Sequence, residues 1–93
     1  MKPLPSVGDV VIFLPKQDDE KARVNQSGSI EVGIPAIVTA DWGSNMVNLI
    51  VFPDTGTPVS RISVQARKKG SLIEHDWSCD QWCWPYEWDK FTE

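Results

Sequence analysis

Apolar and polar positions alternate along this chain in short runs, each bounded by turn-forming residues. Val10-Val11-Ile12-Phe13-Leu14 is β-branched and aromatic, opens after Gly8-Asp9 and stops at Pro15, which predicts a buried strand rather than a helical turn. Ala36 to Ala40 follows Pro35 as a second strand and runs into Asp41-Trp42-Gly43-Ser44-Asn45, where Gly, Ser and Asn supply the backbone freedom of a tight turn and Asp41 and Asn45 flank an aromatic tip. Met46 to Phe52 predicts a third strand, with Val47, Leu49 and Val51 on one face and Met46, Asn48, Ile50 and Phe52 on the other. Pro53-Asp54-Thr55-Gly56 turns the chain, and Thr57 to Val64 alternates with Ser60, Ile62 and Val64 opposite Val59, Arg61 and Ser63. Between the first two strands, Lys16 to Gly33 mixes charge, Asn, Ser and Gly without periodicity. It predicts a long loop whose end, Ile30-Glu31-Val32, pairs briefly.

Short strands, tight hairpins and no long helix predict an all-β fold, a small SH3-like barrel of about five strands with an aromatic-rich C-terminal arm. Closing the sheet removes the exposed edges that so short an all-β chain would otherwise have to protect. The expected core is Val10, Ile12, Leu14, Ile37, Val38, Val47, Leu49, Val51, Ile62 and Val64. With 93 residues there is room for one core, so the expected division is a barrel over 1–70 and an arm over 71–93. A composition of 41% hydrophobic and 24% charged residues excludes a disordered or collagenous chain, and no apolar run approaches the ~20 residues of a membrane span. No membrane partner is expected. The opening Met1 to Pro5 lacks a hydrophobic signal core, which points to the cytosol or to carriage by something other than the secretory route.

The net charge of −4 is unevenly placed. Met1 to Ser71 holds eight basic and seven acidic residues, whereas Leu72 to Glu93 holds six acidic residues against Lys90. An acidic chain is a poor ligand for phosphate backbones, so nucleic acid is disfavoured as a partner; the one local basic patch is Arg61, Arg67, Lys68 and Lys69, whose simpler reading is a solvated turn.

Four of the five tryptophans fall between Trp77 and Trp88. On an extended arm Trp82, Trp84, Tyr86 and Trp88 share one side; alternatively, Pro85 opens a short helix, with Glu87 and Asp89 in its first turns. The rings either complete the barrel's own core or anchor on another protein, since indoles dominate interface hot spots. The candidate partner-binding residues are thus Trp42, Trp77, Trp82, Trp84, Tyr86 and Trp88.

Candidate chemistry is sparse. His75, Cys79 and Cys83 would share one face of a helix at intervals of four, a weak metal-ligand pattern, because structural zinc sites present two separated ligand pairs; no metal and no cofactor are expected, and the cysteines read as free thiols. The sole histidine, near Ser78, makes no hydrolytic constellation, and no phosphate-cradling glycine loop is present, so the expectation is a protein that is not an enzyme.

Gly8-Asp9-Val10, Pro35-Ala36-Ile37-Val38-Thr39, Trp42, Val47-Asn48-Leu49, Val51-Phe52-Pro53-Asp54, Gly56-Thr57-Pro58, Ser63-Val64 and Trp84-Pro85 resemble the pattern of a group of small, mostly uncharacterised bacteriophage and prophage proteins. The resemblance covers about two thirds of the chain and brings no functional residues with it. It implies a phage setting, in the virion or the host cytoplasm, and partners such as capsid or other virion subunits, or further copies of the chain. The expectation is a non-catalytic interaction module, a capsid decoration or minor structural protein. A cytoplasmic regulator binding a host protein or nucleic acid is the alternative. A fainter likeness, through Gly8-Asp9-Val10-Val11 and Pro35-Ala36-Ile37-Val38, is to toxin endoribonucleases on an SH3-like barrel, and the net negative charge argues against importing RNA cleavage.

Overall fold

A computed structural model describes residues 4–16, 33–54, 56–67 and 79–91. Strands β1 (Val10–Leu14), β2 (Ile34–Asp41), β3 (Met46–Val51), β4 (Val59–Ala66) and β5 (Gln81–Cys83) form a closed barrel in that order, followed by the helix α1 (Pro85–Phe91). The fold is the expected small all-β SH3-like barrel. The first four strands are an antiparallel meander, and β5 closes the sheet by pairing antiparallel with β1 and parallel with β4. The closing strand therefore comes from beyond residue 70, the expected limit of the barrel, while that limit itself and the expected pairing of Ile30 to Val32 lie outside the described residues.

The inward set differs from expectation in three strands, β1, β2 and β4. In β1, Val11 and Phe13 are fully buried while Val10 is 55% exposed and Ile12 half-buried, because the register Val10↔Ile37 puts both of those side chains on the outer surface. The barrel interior thus takes the bulkier Phe13, while Leu14, of the same parity as Val10 and Ile12, is buried as expected but in a separate cluster with Cys83. In β2 the buried positions are Ile34, Ala36 and Val38, so Ile37 faces outward and is half-buried. β3 follows its pattern without exception, with Val47, Leu49 and Val51 buried.

β4 carries a bulge. Its register runs Val47↔Val64 and then Leu49↔Arg61, so Asn48 opposes both Ile62 and Ser63, and Ser63 takes a left-handed φ of 53°. The extra residue switches the facing of the strand: Val64 is buried as expected, but Ile62, assigned to the core from unbroken alternation, is 73% exposed.

The C-terminal segment uses both alternatives in turn. Gln81, Trp82 and Cys83 are extended and buried, and Lys16 N–H donates to Asp80 Oδ1 at 2.8 Å, tying the entry of β5 to the exit of β1. Pro85 then starts α1, where its missing N–H costs nothing, and the Trp84 N–H donates back to Glu87 Oε1 at 2.9 Å, half of a capping box. Trp88 packs with Ile12, Leu14 and Cys83 and lies so close over Gly33 that a Cβ there would fall 2.5 Å from its Cζ2.

Candidate interaction surface

Two of the candidate anchors are spent inside the molecule. Trp82 is buried in the barrel core, its Nε1–H donating to the Asn45 carbonyl at 2.8 Å, and it meets Trp84 edge to face with ring centroids 5.2 Å apart. Trp84 is 8% exposed. The expectation that these two rings bury against a neighbour is thereby corrected, because an indole whose area already lies in its own core has none left for a partner. Trp88 is half-buried against Gly33, and Tyr86 on α1 remains open. Trp77 lies outside the described residues.

Trp42 is the opposite case. It is 60% exposed, yet its ring is held: Nε1–H donates to Asn48 Oδ1 at 2.8 Å, and the same oxygen accepts the backbone N–H of the bulge residue Ser63 at 2.9 Å. The turn beneath it is fixed from both sides. Asp41 Oδ1 accepts the Gly43 N–H, Trp42 N–H donates to the Met46 carbonyl, and the Asn45 carbonyl accepts Ala66 N–H as well as the Trp82 indole. Gly43, Ser44 and Asn45 have φ of 84°, 52° and 62°, three successive left-handed residues of which two carry a Cβ. That conformation costs of order 1 kcal/mol for each side-chain-bearing residue and persists only where its surroundings impose it.

Around Trp42 the outer surface of the barrel is apolar. Val10, Ile37 and Ile50 stand side by side across β1, β2 and β3, and Asn48 and Ile50 on the outer side of β3 are followed, just past its end, by the exposed Phe52. Ile62 flanks Asn48 from β4. This outer face, from Trp42 and Ile62 at one end to Phe52 at the other, is the surface that strand alternation concealed. Asn48 gave the one legible hint, a polar residue within an apolar strand.

The other candidates do not converge. Arg61 donates through Nη1 to the Ser60 carbonyl at 2.8 Å and is half-buried; Arg67 lies beyond the end of β4, where its guanidinium meets the Cys83 thiol; Lys68 and Lys69 lie outside the described residues. Cys79 and Cys83 share no helical face, since Cys83 is in β5 and Cys79 precedes it in a bend, while His75 lies outside the described residues. Cys79 is exposed and its Sγ accepts from Gln81 Nε2 at 3.2 Å. Burial, helped by Glu87 and partly offset by Arg67, pushes the Cys83 thiol up to about 12, which keeps it protonated and unsuited to nucleophilic attack or metal ligation. Among the described residues no three His, Cys, Asp or Glu side chains gather as a metal site, and no helix is long and apolar enough to cross a membrane. In comparisons with known proteins, no family model, no curated protein and no solved structure matches this chain.

Proposed function

We propose that the protein is a non-catalytic interaction module whose contact surface is the outer barrel face centred on Trp42, and that it serves as an accessory protein of a bacteriophage virion, a capsid decoration or minor structural component. The observation that carries the interaction reading is the indole of Trp42, exposed to solvent but fixed by Asn48 on a turn anchored to the core. A ring already immobilised loses little rotamer freedom on docking, and tryptophan is the residue most enriched among interface hot spots. The phage setting rests on the resemblance of the Pro35 to Pro58 region, with Gly8-Asp9-Val10 and Trp84-Pro85, to phage proteins.

Purified particles from infected cells, probed by mass spectrometry, test it. The wild-type chain is expected in the particle, and Trp42→Ala and Ile62→Asp are expected to be lost from it while keeping wild-type stability to within about 1 kcal/mol, as surface substitutions do. A hot-spot tryptophan is worth roughly 2 kcal/mol, or about thirtyfold in affinity. Absence of the wild-type chain from particles would overturn the virion assignment, and retention of both variants would overturn the assigned surface.

A further inference from the structure

At the end of the outer face opposite Trp42 there is a shallow cavity of about 280 Å³, lined by Gly33, Ile34, Pro35, Phe52 and Asp54. Its walls are held in place before any ligand arrives. Phe52 N–H donates to the Pro35 carbonyl at 2.9 Å, Gly56 N–H closes the turn onto the Pro53 carbonyl at 3.0 Å, and the indole of Trp88 packs on Gly33. Phe52 is largely open to solvent and Asp54 is exposed. The lining thus combines an aromatic ring, the exposed ring of Pro35 and one carboxylate.

We infer that this cavity receives an arginine or lysine side chain from a basic segment of the partner, the aliphatic stem lying along the exposed Pro35 and the cationic head set between the Phe52 ring and the Asp54 carboxylate. The volume suits one long side chain, lying at the small end of the about 300–1,000 Å³ of sites that take drug-sized molecules. Charge selects among side chains. A cation is attracted both by the face of an aromatic ring and by a carboxylate, and a guanidinium can satisfy both at once through its planar fork. A carboxylate has about four acceptor sites, so Asp54 can accept a further donor beside the interaction it already makes. The cavity is also continuous with the proposed contact surface, since the exposed Phe52 follows just past the end of β3, about 13 Å from Asn48 along an extended chain. The partner identity rests on that surface being the one used, whereas the cavity's preference for a cation can be measured on the protein alone.

The experiment is an amide NMR titration of the full chain with three blocked tripeptides, leucine-arginine-leucine, its neutral citrulline isostere and leucine-glutamate-leucine. The arginine peptide is expected to shift Gly33, Ile34, Phe52 and Asp54 saturably, to bind at least about fivefold more tightly than the citrulline peptide, and to lose that preference in Asp54→Asn and at high salt. The glutamate peptide is expected to leave these signals unmoved. Equal binding of the arginine and citrulline peptides, unchanged selectivity in Asp54→Asn, or shifts confined to other residues would overturn the inference. Loss of Trp42→Ala from particles together with no arginine preference would sink the cation site alone; an arginine preference with both Trp42→Ala and Ile62→Asp retained in particles would sink the contact surface alone.

Discussion

Gly33 and Trp88 show how much one residue carries here. A methyl group at Gly33 would sit 2.5–2.8 Å from three atoms of the indole, closer than real Cβ contacts come, so Gly33→Ala must displace the ring that seals the lower cluster of Ile12, Leu14 and Cys83. The expected cost is about 1–3 kcal/mol in urea unfolding, with a change in the near-ultraviolet signal of the tryptophans and an unchanged far-ultraviolet spectrum. Cys83 gives a second expectation at the same scale. Its thiol rises from the ordinary 9.0 to about 12 because burial disfavours the thiolate. The folded chain keeps the proton longer than the unfolded chain, so this contribution to stability is complete below pH 9 and is lost as pH rises towards 12. Urea unfolding at pH 8, 9.5 and 10.5 should show this fall in the wild type and a flatter profile in Cys83→Ala, and a thiol reagent at neutral pH should modify Cys79 in the folded protein and Cys83 only after unfolding.

At the scale of elements, what could be read from the chain depended on whether alternation went unbroken. β3 has six residues without a bulge inside its own run of side chains, and its buried and open faces follow directly from Val47, Leu49 and Val51. β1 was legible as a strand but not in its facing, since five consecutive apolar residues offer no polar position to mark the outside. β4 was misread at Ile62 because a bulge at Ser63 depends on a hydrogen bond to Asn48, fifteen positions away. β5 has three residues, too few for any periodicity, and is a strand only because β1 and β4 lie on either side of it. Trp42 was legible as an aromatic loop tip, whereas the apolar face beside it was not, because three of its members, Val10, Ile37 and Ile62, read as interior residues. Removing β5 leaves one edge of β1 and one edge of β4 open and takes Trp82 and Trp84 out of the core. A chain truncated after Ser78 should therefore show no cooperative unfolding transition by calorimetry. A sharp transition near that of the intact chain would mean that the four-stranded meander is self-sufficient.

On the scale of the whole molecule, inside and outside have separate duties. The tryptophan pair at the end of the chain fills the interior, and the outer barrel face is left apolar, with a held indole at one end and a carboxylate-bearing cavity at the other. Closure of the barrel by β5 has a kinetic corollary. Neighbouring strands of the meander find each other over modest chain separations, but Ile12 must meet Cys83, some seventy positions away, before the sheet can seal. Loop-closure entropy of that size makes capture of the last strand the slow event, and until it happens Val11, Phe13 and Val64 lie bare. Newly made copies thus pass through a sticky, half-built interval, and crowding many of them together at that moment favours clumping over assembly.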